Sequence, residues 1–276
     1  SQRQDMTDLA DREWRLITEE RHSGPMQMAL DEVAAETAAA GGPRTLRIYR
    51  WEPSTLSAGY RQSPESIDWA YCEREGITVT RRQTGGGGIY HDVDADISYS
   101  IVAPADELPG DLMDSYEVLC EPILDAFERM GVDAAFAEAE QDAIYQPACY
   151  LRAVHPAHDI LADGRKISGN AQYRQRDAVI QHGSLSYSRN ADRHLGVFAT
   201  EEITAEQFSE RVTSIREQSG IDRSTAVGEL EAALGEWADA EAGTWTDDEL
   251  DRAREIADQK YDAEMWNRER TDPLAE

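Results

Sequence analysis

From Gly24 to Gly42 the apolar positions Met28, Val33, Ala34 and Ala38 recur at helical spacing, and the glycine pair Gly41-Gly42 supplies a stop, which predicts a helix. The period then shortens. Arg44 to Trp51 alternates, with Leu46, Ile48 and Arg50 on one side, predicting a half-buried strand, and Thr55 to Gly59 predicts another. Ser63 before Pro64 is an N-cap with proline at the first helical position, predicting a helix that Gly76 closes. A strand over Ile77 to Arg81 enters four successive glycines, Gly85 to Gly88, and a strand over Ile97 to Val102 leaves them. A long helix is predicted from Leu112 to Met130, ended by Gly131, followed by a weaker strand over Val132 to Ala137. Asp159 to Leu161, the turn Ala162-Asp163-Gly164 and Lys166 to Ala171 predict a hairpin, with a further strand over Ala178 to Leu185. After Thr204 the pattern is helical to Asn267, with acidic exposed faces.

Strands interrupted by helices, then a helical tail, predict an α+β (α/β) fold: a mixed, largely antiparallel sheet flanked by helices, not a regularly alternating doubly wound one. No internal repeat and no Pro- or Ser-rich linker divides the chain. Residues 1–276 are therefore expected to form a single catalytic domain, with about 205–270 as a helical C-terminal subregion.

Composition narrows the partners. The chain has 276 residues, 40% of them apolar, enough for a sizeable core. With 27 basic against 55 acidic side chains, its net charge is −28, which argues against nucleic acid as a partner, because phosphate binding needs a clustered basic surface. Only Lys166 and Lys260 are lysines; the other 25 basic residues are arginines. Excess carboxylate with lysine nearly removed resembles halophilic proteins, in which molar salt screens self-repulsion; an ordinary acidic protein is the other reading. Salt adaptation predicts that raising KCl from dilute to molar raises the melting temperature. A thermal melt that stays level or falls would count against it.

No run approaches the roughly 18 apolar residues that span a bilayer, and the polar start, Ser1 to Asp11, lacks a secretory hydrophobic region, so a cytoplasmic protein without a membrane partner is expected. Cys72, Cys120 and Cys149 are odd in number and far apart, which gives neither a disulfide framework nor a zinc pattern. His155, His158, Asp159 and Cys149 could be grouped as metal ligands, but a hairpin carrying Lys166 accounts for Asp159 better, and no metal site is expected.

Two stretches could carry chemistry. In Arg81-Arg82-Gln83-Thr84-Gly85-Gly86-Gly87-Gly88-Ile89-Tyr90-His91-Asp92, the four glycines let backbone amides approach an anion, Arg82 can add a bidentate charge and Thr84 a hydroxyl. The stretch is neither a P-loop nor a dinucleotide fingerprint, and a flexible loop or bulged hairpin is the plain alternative. His91 could place a substrate, move a proton or serve only as a structural residue. In Gly164-Arg165-Lys166-Ile167-Ser168-Gly169-Asn170-Ala171-Gln172, a lysine retained among small residues points to a compact ammonium that fixes a carboxylate and stabilises developing charge; a surface lysine left by drift is the other reading.

Together these stretches resemble the biotin/lipoate protein ligase family, in its lipoate-protein ligase and octanoyltransferase branch. Arg81 to Asp92 matches its Arg-Arg-x-Ser/Thr-Gly-Gly-Gly-x-x-x-His-Asp segment, and Gly164 to Ala171 its Gly-x-Lys-x-x-Gly-Ser/Asn-Ala segment. Met26 to Glu32, Gln181 to Leu185, Lys260-Tyr261 and Trp266-Asn267 extend the similarity over nearly the whole chain. The resemblance implies a class II synthetase or biotin ligase-like fold. It also implies an ATP-dependent lipoate-protein ligase that activates lipoate or octanoate as acyl-AMP, with Mg²⁺ offsetting phosphate charge, and transfers it to a carrier lysine. The carrier would be the lipoyl domain of a 2-oxoacid dehydrogenase E2 or the glycine cleavage H protein, with a separate accessory ligase subunit as a further partner. By residue, the resemblance gives Lys166 contact with both acyl carboxylate and adenylate phosphate. Arg82, Thr84, Gly85, Gly86, Gly87, Gly88, Ile89 and Tyr90 would bind ATP or the acyl-adenylate, and His91, Gly169 and Ala171 would line the lipoyl site.

Two departures bear on this. Gln27 stands where the family usually has Asn, and Cys149 to His158 stands where ligases typically show Arg-Asn-Asp. Cys149-Tyr150 is similar to the Cys-Phe of one octanoyltransferase type, in which the cysteine is the nucleophile. The alternative activity is thus a Cys149-dependent octanoyl or lipoyl transfer from acyl carrier protein without ATP. A small buried hydrophobe is the structural reading of Cys149.

Overall fold

Two sheets arise from the alternating runs. In the computed structural model, which describes residues 12–199 and 202–275, the larger sheet holds β1 (Trp14–His22), β2 (Arg44–Trp51), β6 (Asp96–Pro104), β7 (Ala134–Phe136), β8 (Asp159–Ala162), β9 (Arg165–Gln175), β10 (Ala178–Ser186) and β11 (Glu241–Ala242). Their order is β11-β1-β2-β6-β10-β9-β8-β7. The β11-β1 and β1-β2 pairs are parallel and all others antiparallel, so the sheet is mixed and largely antiparallel. A smaller sheet has the order β4-β3-β5, from β3 (Thr55–Ala58), β4 (Thr78–Arg81) and β5 (Ile89–His91).

Both faces of the large sheet are covered. Leu46 and Ile48 of β2 pack on the side of α3 (Leu112–Arg129) and α7 (Arg223–Ala238), while Tyr49 and Trp51 pack toward α1 (Gly24–Ala39). β2 is therefore buried on both faces, not half-buried. Its inward cation is Arg47, not Arg50: Arg47 donates to Asp31 Oδ1 at 2.7 Å and to the Gln27 carbonyl at 3.2 Å, because a buried guanidinium needs a carboxylate and further acceptors. Gln27 joins that network, its Oε1 also accepting from Arg47 and its Nε2 donating to the Arg50 carbonyl.

The helix expected from Ser63 to Gly76 is broken. Ser63 caps only a short 3₁₀ turn, Pro64–Ser66; Ile67 is then extended and bridges to Phe198, and Asp68 caps the shorter α2 (Trp69–Arg74). A tertiary pairing overrides the local signal. β1 carries too many charges to announce itself, and Arg15 within it is stabilised by Glu249 at 2.6 and 2.7 Å and by Thr45. α4 (Ala191–Gly196) precedes Thr204, which forms a capping box, and beyond it come α5 (Ala205–Arg211), α6 (Ile215–Ser219), α7, α8 (Asp247–Ile256) and α9 (Glu264–Asn267). The expected helical tail is interrupted by β11, which edges the main sheet. No helix among the described residues is long and apolar enough to cross a membrane. The polar start, Ser1 to Asp11, lies outside the described residues.

Candidate active site

The β8-β9 hairpin places a carboxylate and an ammonium on neighbouring strands. Lys166 Nζ lies 3.0 Å from Asp159 Oδ1 and 5.0 Å from the centre of the Tyr150 ring, and Lys166 is only 4% exposed. Gly169 permits this path: a Cβ there would come 3.3 Å from Lys166 Cε and 3.4 Å from Nζ. Burial works against the ammonium, but the Cys149 sulfur and the Asp159 carboxylate outweigh it and hold the Lys166 pKa above its ordinary value. Burial likewise opposes the Asp159 carboxylate; Lys166, a contact from His158 and the His155 backbone N–H reverse this and hold its pKa below the usual carboxylate range.

The glycine loop meets the cysteine. Gly88 N–H donates to the Pro147 carbonyl at 2.7 Å, and Cys149 N–H returns a bond to the Gly88 carbonyl at 2.9 Å. A Cβ on Gly87 would stand 2.7 Å from Cys149 N and 2.8 Å from the Pro147 carbonyl oxygen, so this approach requires a residue without a side chain. Cys149 opens a 3₁₀ turn, is half-buried, and interacts electrostatically with both Lys166 and Arg82. Cys72 and Cys120 are buried, and burial pushes each thiol up to about 12. Iodoacetamide is therefore expected to label Cys149 and spare Cys72 and Cys120 in the folded protein, as peptide mass spectrometry would read.

Arg82 is not a free anion clamp. A guanidinium has five N–H donors; those of Arg82 go to Thr84 Oγ1, to the carbonyl and Oγ of Ser57, and to the carbonyls of Gly85 and Gly87. The residue organises the glycine loop from within. Burial pulls its pKa down to about 10, against the opposing pull of Cys149.

One cavity of about 370 Å³, within the size range of small-molecule sites, collects these groups. Lys166 and Cys149 line it together with Arg82, Thr84, Gly85, Gly86 and Ile89. His91, Gly169 and Ala171 line it too, as does Asp159. Gly87, Gly88 and Tyr90 do not. Gly87 packs against the Pro147–Cys149 backbone and Gly88 is hydrogen-bonded to it, and β-alternation sends Tyr90 to the opposite face from Ile89 and His91, where its hydroxyl donates to Asp92 at 2.7 Å. Lys260 does not line the cavity; it is paired with Glu32 at 3.3 Å and Asp272 at 3.1 Å and lies 4.5 Å over the Trp266 ring.

The remaining walls come from outside the two principal stretches. Met28, Tyr49 and Trp51 give an apolar side, and Trp51 stacks on His91 with ring centres 4.0 Å apart. His91 is held at both ring nitrogens, by Ser57 Oγ at 3.0 Å and Asp96 at 3.2 Å. His182 contacts Thr84 Oγ1 at 3.0 Å; burial and the nearby Arg82 push its pKa down to about 3, so it is neutral. The signal for His182 lay in the Gln181 to Leu185 stretch of the family resemblance, and Trp51 was readable only as part of a strand. Among the described residues, no group of three or more His, Cys, Asp or Glu is arranged to hold a metal ion.

Comparison with known proteins agrees with this geometry. Residues 23–236 match the family described as the lipoyl protein ligase A/B catalytic domain. The chain is 32% identical to octanoyltransferase LipM of Anoxybacillus flavithermus, covering 92% of this chain and 97% of the relative. It is 29% identical to octanoyltransferase LipM of Bacillus subtilis, covering 93% and 98%. In three dimensions it resembles lipoate-protein ligase A bound with ATP, with a TM-score of 0.77 at 27% identity over 92% of this chain and 98% of that one. The bi-partite lipoate protein ligase of Thermoplasma acidophilum, described with its E2 lipoyl domain, gives a TM-score of 0.77 at 25% identity over 93% and 96%. A matching sequence over most of the length, the shared mixed sheet and a lysine-bearing hairpin closing on a glycine loop lead to one conclusion: the chain belongs to the lipoyl protein ligase A/B catalytic domain family, in its lipoate ligase and octanoyltransferase branch.

Proposed function

We propose that this protein is a cysteine-dependent acyltransferase. It takes an octanoyl or lipoyl group from the thioester of acyl carrier protein onto Cys149 and passes it to a lysine of a lipoyl carrier, an E2 lipoyl domain or the glycine cleavage H protein. The 276 residues act as one catalytic unit in the cytoplasm. The observation that carries this reading is the position of Cys149, in the cavity wall between Lys166 and Arg82 and hydrogen-bonded through its backbone to the glycine loop.

The two cations stabilise negative charge on sulfur. The Cys149 thiolate attacks the thioester carbonyl carbon, an S–C bond forms, and the carrier's sulfur leaves and takes up the proton that Cys149 released. Lys166, held protonated and anchored by Asp159, faces the charge that develops on the carbonyl oxygen. The apolar wall of Met28 and Trp51 accepts the acyl chain. In the second half, the carrier amine attacks the acyl-enzyme, and Cys149 leaves as the thiolate.

ATP-dependent ligation is the second reading, favoured by the likeness to an ATP-bound ligase. Against it, Arg82 and the Gly88 amide are already committed to internal partners, which removes two of the expected nucleotide contacts. No step is assigned to ATP or Mg²⁺. Incubation in molar KCl with octanoyl acyl carrier protein and an apo-carrier is expected to modify the carrier without ATP, and Cys149→Ala to abolish this. Modification only with free lipoate and ATP, with release of AMP and pyrophosphate, would overturn the transferase reading and raise the question of an accessory subunit.

A further inference from the structure

We infer that His158 is the general base of the second half-reaction, taking the proton from the carrier's amine as it attacks the acyl-enzyme. The inference deepens the transferase reading and rests on it. An incoming lysine must shed its protons near the thioester, and few groups in the cavity can receive one. Lys166 is already protonated, and Asp159 is committed to it at 3.0 Å. His91 is only 3% exposed, its Nε2 bonded to Ser57 and its Nδ1 facing the Asp96 carboxylate at 3.2 Å. His182 is bonded to Thr84, and burial beside Arg82 pushes its pKa down to about 3, too low to hold a proton.

His158 differs from these in being both a cavity wall and open to solvent. Its side chain is 34% exposed, and its Nδ1 is enclosed 3.5 Å from Asp159 Oδ1 with no hydrogen-bond partner of good geometry. The ring is held in place from three directions. It stacks on His155 with centres 5.0 Å apart, it lies 5.2 Å from the Tyr116 ring of α3, and its backbone carbonyl accepts from Asn170 Nδ2 of β9 at 2.9 Å. The ionisable groups around it are thus Asp159 and His155 on its own segment, Tyr116 from α3 and Lys166 from β9 through Asp159, with Arg152 on the same cavity wall. Asp159 touches both His158 and Lys166, and Lys166 interacts with Cys149, so a short chain of contacts links the base to the nucleophile.

The step balances. The carrier ammonium first loses one proton to solvent. As the C–N bond forms, His158 takes the second; the tetrahedral intermediate collapses, the C–S bond breaks, and Cys149 leaves as a thiolate facing Lys166 and Arg82. His158 then returns its proton to that thiolate or to water.

The test separates the half-reactions by intact-protein mass spectrometry, using octanoyl acyl carrier protein as donor and an apo-lipoyl domain as acceptor. In His158→Gln and His158→Ala the acyl-enzyme is still expected to form, with its formation slowed far less than its transfer. Its transfer to the acceptor should slow by about 10²-fold or more, lose the wild-type pH dependence, and recover in the alanine variant with added imidazole. Transfer within about twofold of wild type in the glutamine variant, or slowed transfer whose pH profile keeps its shape and ignores imidazole, would overturn the assignment. Failure of the wild-type protein to form any Cys149-linked acyl-enzyme would instead sink the transferase reading on which it rests, and the assignment with it.

Discussion

Lys166→Ala is expected to lower acyl transfer by about 10²-fold or more, because in the proposed transfer the ammonium stabilises the charge that develops on the thioester carbonyl. The variant also leaves Asp159 buried beside an apolar cavity; removing one partner of a buried pair costs about 3–5 kcal/mol, enough to confuse inactivity with unfolding. The double variant Lys166→Met/Asp159→Asn removes both charges and separates the effects. It should regain most of the lost thermal stability while remaining inactive, and recovery of turnover in it would remove Lys166 from the mechanism. The pH behaviour follows from the shifts. The folded-state pKa of Asp159 is depressed, so its contribution is present above the unfolded carboxylate value and is lost as the pH falls through the lower folded one. The Lys166 pKa is raised, so its contribution is complete below the unfolded lysine value and is lost only as the pH rises through the higher folded one. Between roughly pH 5 and 9 the pair stays ionised, and Lys166→Met/Asp159→Asn should leave the pH dependence of stability in that window unchanged.

Gly87→Ala carries the second large effect. Its Cβ would fall 2.7 Å from Cys149 N, 2.8 Å from the Pro147 carbonyl oxygen and 2.9 Å from the Ala148 carbonyl carbon, all backbone atoms that cannot swing aside. The Pro147–Cys149 segment must retreat, carrying with it the Cys149 thiol proposed as nucleophile, and a displacement of about 1 Å at a reacting centre costs about 10²-fold in rate. Overpacking of this kind also costs about 1–3 kcal/mol. Gly85→Ala is the matched control for folding, since a Cβ there meets nothing within 4 Å and its φ is not positive. A Gly87→Ala protein with wild-type acyl-enzyme formation and melting temperature would show that the glycines do not position Cys149.

The sheet was largely legible because its strands announce themselves by alternation, and the hairpin around Ala162-Asp163-Gly164 by its turn. β1 was hidden because Arg15 is buried only by virtue of Glu249, which is supplied from α8 more than two hundred residues later. The helix after Ser63 failed for a similar reason: Ile67 prefers a bridge to Phe198 over the next helical turn. In the site, a lysine kept among small residues pointed to Lys166, and the family resemblance to Gly169 and His91, whose surroundings the cavity then supplied. Tyr90 was misplaced because a motif read as a loop is in part a strand, and a strand sends alternate side chains to opposite faces.

The sequence by itself determined the fold class, the family resemblance and the two segments that carry chemistry, since these reside in local period, in glycine content and in a lysine kept where arginine is otherwise used. Only the tertiary structure decided what those segments do to each other. Arg82 is spent on the carbonyls of the glycine loop, and the loop is bare so that Cys149 can lie against it. The Arg82 bond to the Ser57 carbonyl and the approach of Gly87 to Cys149 join residues far apart in the chain, and hydrogen-bond saturation and steric approach are properties of three-dimensional neighbours that no local pattern encodes.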